Sequence, residues 1–282
     1  MTKTWLITGT STGFGKELAL QLAKQGEVNL IASARKPAQL AYLDQYDHGQ
    51  IIKAQLDVTK NDDIKRVVNA GLTKFGSIDV LVNNAGLGYF STLEESDEKQ
   101  ARYLFDVNFW GVVNMTKAVL PSMRKQRSGI IVNLSSIAGI KGTTALSFYN
   151  ASKHAVEGLT KSFQQEVSAF GIKCMLVEPS AFRTDWAGRS SLKDATKIDD
   201  YKQLDDARIN GHSNSKYNES GDPVLAAKII IDQVQNHADD LPLHLPLGKW
   251  AIGAGLDEFK QGIDAYHKYA KLAESADDPL TK

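Results

Sequence analysis

The sequence predicts an α/β protein built on one doubly wound parallel sheet with helices on both faces. Six short runs are almost continuously apolar, as strands covered on both faces should be. Amphipathic stretches with helical periodicity alternate with these runs, so the pattern is β-α-β repeated along the chain. No sequence repeat, proline-rich linker or low-complexity tract divides the 282 residues. We therefore expect a single domain, residues 1–282.

The predicted elements follow one another in strict alternation. The predicted strands are residues 4–8, 28–32, 51–56, 80–82, 129–134 and 172–177. The predicted helices are residues 15–25, 38–45, 62–75, 98–123 and 149–170. Because each helix returns the chain to the same end of the sheet, the strands run parallel.

The alternation breaks after Glu178. Residues 183–222 are polar and poor in periodicity, and an insertion of this length in a compact domain is typical of a substrate loop, lid or disordered segment. An apolar helix near 224–234 and the run "LPLHLPLG" follow, and an amphipathic tail covers about 254–274. We expect residues 248–282 to form a C-terminal helical extension.

Composition excludes several functional classes. Lys and Arg total 33 and Asp and Glu total 33, so the chain lacks the electrostatic footprint of a protein that binds nucleic acid or an anionic membrane. The sole cysteine, Cys174, lies in the apolar run "IKCMLV", which predicts a buried, inert thiol and no internal disulfide. The chain begins in a strand pattern with no signal peptide and has no membrane span, so a cytoplasmic location is predicted.

A glycine-rich turn follows the first predicted strand. In "LITGTSTGFGKEL", Gly9, Gly13 and Gly15 lie between a strand and the start of a helix. Glycines there let the backbone approach a pyrophosphate, and the helix N–H groups face its charge. The spacing is GxxxGxG, which differs from the GxGxxG of most dinucleotide folds.

The stretch "SFYNASKHAVEGL" places Tyr149 four residues before Lys153. Side chains at i and i+4 of a helix share one face, so the phenol and the ammonium can act together. The alternative is that Tyr149 packs while Lys153 extends to water.

Seven motifs occur in the order seen in the classical short-chain dehydrogenases/reductases. They are "TGTSTGFG", "LDVT", "NNAG", Asn108 in "VNFWG", "NLSSIAG", "YNASK" and "EPSAFRT". The resemblance covers about residues 4–184 and implies a Rossmann-like domain, a nicotinamide cofactor and hydride transfer between a carbonyl and an alcohol. The chain departs from the family in Ser180, where a glycine normally follows the proline. Its C-terminal extension resembles that of longer bacterial members of uncertain substrate.

The resemblance implies catalytic roles for Asn108, Ser136, Tyr149 and Lys153. Tyr149 is the proton donor, and an unperturbed phenol with a pKa near 10 needs a neighbouring cation, here Lys153, to share its proton at neutral pH. Ser136 holds the substrate oxygen, with Ser135 as its rival. Asn108 holds a water that relays protons to Lys153, or is simply a satisfied buried amide.

The second strand suggests which nicotinamide is used. It ends "IASARK", so Ala34 replaces the acidic residue of NAD-binding members, and Arg35 and Lys36 follow. A guanidinium binds phosphate through two hydrogen bonds, which favours NADP(H), although both basic residues could also belong to a solvated turn. The predicted cofactor-binding residues are Gly9, Ser11, Gly13, Phe14, Gly15, Arg35, Lys36, Asp57, Val58, Asn84, Ala85, Gly86, Tyr149, Lys153, Pro179, Phe182 and Thr184.

The leading hypothesis is an NADPH-dependent ketone reductase, reversible as an alcohol dehydrogenase. A non-catalytic NADP(H) sensor and a sugar-nucleotide epimerase or dehydratase are the alternatives. The histidines lack metal-ligand spacing, so no metal is predicted. The family also implies a homo-oligomer, a dimer or tetramer. The sequence does not name the ketone, and four aromatic residues either line its pocket or belong to the core: Tyr89, Phe90, Trp186 and Tyr201.

Overall fold

A seven-stranded parallel sheet forms the centre of the protein. The computed structural model describes residues 2–186, 188–205 and 221–277. Its strands are β1 (Thr4–Ile7), β2 (Asn29–Ala34), β3 (Ile51–Gln55), β4 (Val80–Asn83), β5 (Gly88–Phe90), β6 (Gly129–Leu134), β7 (Ile172–Pro179), β8 (Ser191–Lys193) and β9 (His244–Leu247). The main sheet has the order β3-β2-β1-β4-β6-β7-β9, and every pair in it is parallel. The predicted α/β, Rossmann-like doubly wound fold is confirmed.

Helices cover both faces of this sheet. They are α1 (Gly13–Gln25), α2 (Asn61–Phe75), α3 (Glu98–Phe105), α4 (Gly111–Gln126), α5 (Ser147–Val167), α6 (Pro223–Asn236) and α7 (Lys249–Glu274). In β1, Trp5 and Ile7 join a core with α1 and α6, whereas Leu6 joins a core with α2, α4 and α5. Because successive side chains of a strand point to opposite faces, most positions of a strand buried on both sides are apolar.

Several elements differ from the sequence predictions. The segment expected as a helix at 38–45 is a 3₁₀ helix, Pro37–Tyr46. The run "LPLHLPLG" supplies β9, which pairs with β7 at the sheet edge. Its alternating exposure matches an edge strand more closely than the continuous apolar pattern used to find the other strands.

The long helix predicted at 98–123 is interrupted. A π-helical turn at Asp106–Trp110 separates α3 from α4. Such a turn adds one residue to the helical repeat, and it occurs often at functional sites. It carries Asn108, whose contacts are described below.

The segment after β7 folds back to the part of the chain that follows the central strand β4. Strand β8 pairs in parallel with β5, and Glu95 accepts hydrogen bonds from the backbone N–H groups of Lys197 and Ile198. Within the predicted lid at 183–222, residues 206–220 lie outside the described part of the chain. Where the chain is described again, the isolated bridge between Phe182 and Gly221 joins the two ends of the segment.

The sheet order reverses between β1 and β4. Chain order runs outward from β1 through β2 and β3 on one side, and from β4 through β6, β7 and β9 on the other. In doubly wound sheets, ligands bind in the crevice outside the carboxyl ends of the strands at this switch point. Among the helices of residues 2–186, 188–205 and 221–277, none has the length and apolar character needed to cross a bilayer.

Candidate active site

A cavity of about 630 Å³ opens at the carboxyl ends of the central strands. It is lined by most of the residues predicted from the sequence, including Ser136 and both members of the tyrosine–lysine pair. The predicted residues that line it are Gly9, Ser11, Gly13, Phe14, Arg35, Asp57, Val58, Asn84, Ala85, Gly86, Ser136, Tyr149, Lys153, Pro179, Phe182 and Thr184. Three predicted residues are outside this lining: Gly15, Lys36 and Asn108.

The glycine turn forms the floor of one end of the cavity. Gly9 and Gly13 have φ values of +71° and +58°, a backbone region that side chains strongly disfavour. Gly15 lies inside the turn, where an added Cβ would come within 2.4 Å of the Gly9 carbonyl oxygen. Gly15 is therefore required for the shape of the turn rather than for direct contact with a ligand.

Asn84 holds this turn against β4. Its Nδ2 donates to the carbonyl oxygens of Thr8 and Gly9, at 2.8 and 2.9 Å. The hydroxyl of Thr8 accepts from the backbone N–H groups of Asn84 and Ala85, at 3.0 and 2.9 Å. The two strand ends on either side of the switch point are thus tied together, which keeps the backbone of the turn in place for an anionic ligand.

Tyr149 and Lys153 lie one turn apart near the start of α5. Both side chains are buried, and the Lys153 Nζ lies 5.8 Å from the centroid of the Tyr149 ring. The Nζ donates to the Leu134 carbonyl oxygen at 2.6 Å, at the end of β6. Lys153 therefore does not extend to water, and the alternative in which it does so is wrong.

Burial raises the pKa of Tyr149 to about 12. A side-chain hydrogen bond with Ser136 acts in the opposite direction. In this arrangement the hydrogen bond with Ser136 lowers the Tyr149 pKa, while the Lys153 ammonium donates to the Leu134 carbonyl oxygen. The predicted influence of Lys153 on the phenol stays a prediction. The phenol therefore keeps its proton at neutral pH, as a proton donor must.

Ser136 and Ser135 have different surroundings at the end of β6. The hydroxyl of Ser136 accepts from the Ala138 N–H at 3.1 Å and interacts with Tyr149. Ser135 faces the other way, with its Oγ beside Gly139 and next to Glu157. The geometry favours Ser136 over Ser135 as the partner of Tyr149.

Asn108 is fully bonded within the π-helical turn. Its Nδ2 donates to the Leu87 carbonyl oxygen at 2.9 Å and to Ser152 Oγ at 3.2 Å, and its Oδ1 accepts from the Leu87 N–H at 2.9 Å. A Cβ placed on Gly86 would lie 3.3 Å from the Asn108 Oδ1 and 3.8 Å from the Lys153 Nζ. Asn108 thus positions the backbone of Leu87, next to Gly86 and Lys153, and the structure shows no direct bond between Asn108 and Lys153.

Burial lowers the pKa of the Lys153 ammonium to about 8, and the charge of Glu157 acts in the opposite direction. Glu157 is one turn further along α5 and is buried, which raises the pKa of its carboxyl. The nearby Glu178 raises that pKa further, whereas Lys161 and His244 lower it. Lys153 is therefore a buried cation whose protonation state depends on a second buried charge.

Sequence spacing did not reveal the cluster formed by Glu157, Glu178 and His244. One ligand atom from each lies within 4.8 Å of the others, an arrangement that could hold a cation. The His244 Nδ1, however, already makes a short contact with the Glu178 carboxylate, which a hydrogen-bonded pair explains without an ion. The signal was hidden because the three residues come from α5, β7 and β9.

The opposite end of the cavity, at the end of β2, carries Arg35. Arg35 follows β2, is exposed and lines the rim, whereas Lys36 is exposed but directed elsewhere. Asp57 is held by its own loop, since its Oδ1 accepts from the N–H and hydroxyl of Thr59, at 3.0 and 2.7 Å. Ala34 is buried at the strand end, so no carboxylate lies beside the guanidinium there.

The end of the cavity near Tyr149 carries large apolar side chains, and Asp185, Arg189 and Ser191 belong to the same lining. Of the four aromatic residues considered from the sequence, Trp186 lines it, with its ring 5.0 Å from the Tyr149 ring. Tyr89 and Phe90 are buried in the core, and Tyr201 donates to Glu94. The sequence analysis missed Trp250, which α7 brings to the cavity from the C-terminal extension.

Ser180, the departure from the family pattern, lies between the cavity and α7. Its N–H donates to the Leu247 carbonyl oxygen at 3.0 Å. Its Oγ occupies space beside Gly248, whose φ is +95°. The serine therefore contacts the start of the extension that the shorter family pattern lacks.

Comparisons with known proteins agree with this geometry. The family model described as short chain dehydrogenase matches residues 3–195. The curated protein "Oxidoreductase BOA17" of Botryotinia fuckeliana is 38% identical over 253 residues, which is 89% of this chain and 91% of the relative.

Two solved structures are similar over most of the chain. A short-chain dehydrogenase from Streptomyces avermitilis has a TM-score of 0.88 and 32% identity, and the match covers 98% of both chains. The structure "ElxO with NADP Bound" has a TM-score of 0.74 and 28% identity, covering 90% of this chain and 100% of the other.

Proposed function

Because the chain belongs to the short-chain dehydrogenase family and is an oxidoreductase of that family, we propose that it is an NADPH-dependent ketone reductase, reversible as an alcohol dehydrogenase. The observation that carries this proposal is the placement of Tyr149, Ser136 and Lys153 at one end of a cavity whose other end is a glycine turn with a basic rim.

The cavity residues fit a dinucleotide. The turn at Gly9 and Gly13 leaves space for a pyrophosphate, and the first backbone N–H groups of α1 face that space. An added Cβ at Gly86 would enter the gap between Asn108 and Lys153, so this strand end leaves room for a ribose. Bound NADPH supplies the hydride that reduces the carbonyl carbon.

The side chains of the protein stabilise the charge that develops on the substrate and supply the proton. Reduction of a ketone leaves negative charge on its oxygen, and Ser136 donates a hydrogen bond to that oxygen as the charge develops. Tyr149 then transfers its phenolic proton to the oxygen, which gives the alcohol. The ammonium of Lys153 stabilises the resulting phenolate, and Asn108 keeps the strand end that borders Lys153 in position.

Preference for NADP(H) over NAD(H) rests on the end of β2. Arg35 lines the rim and Ala34 offers no carboxylate to repel a 2′-phosphate. ElxO, solved with NADP, and the Thermococcus sibiricus alcohol dehydrogenase, solved with 5-hydroxy-NADP, support the same choice. Trp186, Leu192 and Trp250 favour an apolar ketone at the other end. The predicted cytoplasmic location stays a prediction.

The test of this function is the oxidation of NADPH and of NADH with ketones of graded size, from small aryl ketones to acyl and steroid ketones. We expect turnover with NADPH and with at least one apolar ketone. NADPH binding without turnover of any ketone or alcohol would instead favour a sensor. Activity on sugar nucleotides alone would favour the epimerase or dehydratase alternative.

Substitution of the two serines tests the assignment of the hydroxyl. Ser136→Ala is expected to lower kcat by roughly 10²-fold or more, because it removes a donor to the developing oxyanion. Ser135→Ala is the matched control and should lower kcat far less, because the Ser135 hydroxyl faces Glu157. Steady-state kinetics of both variants decides the matter, and equal or reversed losses would assign the role to Ser135.

The pH profile tests the role of Lys153. Its ammonium is present below a pKa of about 8 and lost above it, so reductive kcat of the wild type should fall as the pH rises through this region. Glu157→Gln removes a charge that favours the ammonium, so the fall should move to lower pH. Glu166→Gln, exposed on the same helix, should leave the profile in place. A profile that Glu157→Gln does not move would remove Glu157 from this role.

A further inference from the structure

Helix α7 carries a stripe of exposed apolar side chains. Its members are Ile252, Leu256, Phe259, Ile263 and Tyr266, with 49%, 64%, 53%, 57% and 85% of their surface exposed. We call these five residues the apolar stripe. Large contiguous apolar surfaces of this kind are rare on monomeric proteins and mark sites of association.

The stripe has the spacing of a coiled-coil seam. Its members follow one another at intervals of four, three, four and three residues, and Ala270 and Ala273 continue the series. Apolar residues at this 3.5-residue repeat form knobs that insert between the residues of a facing helix. The matching surface is therefore another helix with the same repeat.

Most of α7 is not buried by the described part of the chain. Ala251 and Ala254 pack with Ile137, but none of the α7 residues beyond Gly255 is fully buried against the described part of the chain. The helix has 26 residues and is about 39 Å long, so more than half of it projects from the body. Because helices in proteins gain most of their stability from packing of an apolar face, this part requires a partner.

We propose that the apolar stripe binds the same stripe of a second copy of this chain, with the two α7 helices antiparallel. In this register Ile252 faces Ala270, Leu256 faces Tyr266 and Phe259 faces Ile263 of the second copy. Large side chains of one helix then face small or medium side chains of the other. The distance between the two helices is therefore similar at each of these pairs. A parallel pair would instead place the thin alanine layers together and the aromatic layers together.

The area is sufficient for a dimer. With about half or more of each stripe side chain exposed, and aromatic side chains that bury roughly 150–250 Å² each, one stripe offers on the order of 600 Å². A standard interface buries about 800 Å² per partner, and neighbouring side chains supply the remainder.

The charges on α7 favour a second copy over a membrane surface. The helix carries four acidic and four basic residues, whereas a helix that binds a membrane surface is typically rich in Lys and Arg. The positions flanking the seam hold two glycines, Gly255 and Gly262, which allow close approach, and no row of like charges. Lys260, His267 and Glu274 lie on the other flank.

The interface also borders the candidate active site. Trp250 lines the cavity and lies two residues before Ile252, the first member of the stripe. In the antiparallel register, the end of the second copy's α7 lies opposite this position. Association therefore places the partner chain beside the mouth of the cavity.

The mass in solution tests the proposal. Static light scattering after size exclusion should give the wild type a mass of two or four chains of 30.9 kDa. Leu256→Glu with Ile263→Glu should halve that mass, since two charges would be buried in the seam. Leu272→Glu is the matched control, because Leu272 is exposed but off the stripe, and it should keep the wild-type mass. A wild type with the mass of one chain, or a mass that the stripe variant does not change, would overturn the proposal.

Disulfide trapping tests the orientation. With Ile252→Cys and Ala270→Cys in the same chain, oxidation should yield a covalent dimer, whereas Ala270→Cys alone should not. Cross-linking by Ala270→Cys alone would indicate a parallel pair and overturn the antiparallel register. The native Cys174 is buried and does not compete.

The circular dichroism spectrum and NADPH affinity of each variant serve as controls for folding of the body. Sedimentation with phosphatidylglycerol vesicles tests whether the apolar stripe binds a membrane surface instead of a second copy of the chain. Vesicle binding that the stripe variant abolishes, in a wild type with the mass of one chain, would assign the stripe to a membrane surface instead.

Discussion

Replacement of Tyr149 by Phe is expected to lower the reductive rate by roughly 10²–10⁴-fold while NADPH binding stays nearly unchanged. The substitution removes the proton that the substrate oxygen must receive and leaves the ring in place. The phenyl ring keeps the packing of the Tyr149 ring against Trp186 and its position near the Lys153 ammonium. Because burial holds the phenol protonated, Tyr149 carries a proton that it can give to the substrate oxygen.

Single-turnover and steady-state rates with NADPH and an accepted ketone measure this effect, and fluorescence titration measures NADPH affinity. Tyr46→Phe is the control, since Tyr46 packs against the core on the α1 side of the sheet, away from the cavity lining. Near-normal turnover by Tyr149→Phe would exclude Tyr149 as the proton donor. Loss of NADPH binding would show that the phenol is needed for the site's structure.

Reversal of the cofactor preference is expected from two substitutions at the end of β2. Arg35→Ala should weaken the binding of NADPH more than that of NADH, by roughly 10- to 150-fold. This factor corresponds to the loss of a charged hydrogen bond that contributes about 1.5–3 kcal/mol. Adding Ala34→Asp should carry the preference to NADH, because the carboxylate repels a 2′-phosphate and accepts a hydrogen bond from a free ribose hydroxyl. Both positions line the cavity, but Ala34 is buried, so the circular dichroism spectrum of the double variant serves as the control for folding.

The ratio of kcat/KM for the two cofactors decides this prediction, measured for wild type, Arg35→Ala and the double variant. Since Arg35 is exposed, the wild-type preference for NADPH should shrink as salt rises. Lys65→Ala, an exposed residue of α2, is the control for a general loss of positive charge. A wild type that prefers NADH, or an unchanged ratio in Arg35→Ala, would show that "ARK" is a solvated turn.

Local patterns predicted much of the fold and many of the residues around the cavity. A strand buried on both faces is apolar at most positions, so six of the seven strands of the main sheet are visible as apolar runs. The glycine turn is also local, since Gly9 and Gly13 need positive φ values and Gly15 must lack a side chain. Tyr149 and Lys153 share a helix face because their spacing is four residues. These features depend on neighbours within a few residues, and the sequence alone determined them.

The sequence could not predict features that depend on contacts between distant elements. β9 is an edge strand identified by its pairing with β7. Glu157, Glu178 and His244 meet only because α5, β7 and β9 pack together.

Lys153 shows the same difference between what local sequence determines and what tertiary contacts determine. The spacing of Tyr149 and Lys153 is local, but burial sets the pKa of each, and the direction of the ammonium depends on the Leu134 carbonyl of β6. Trp250 reaches the cavity from the far end of the chain. The sequence determined which residues can take part in catalysis and cofactor binding. The tertiary structure decided how far each side chain is removed from water and which groups it bonds. The reason is that desolvation and hydrogen bonding depend on groups that are close in space rather than along the chain.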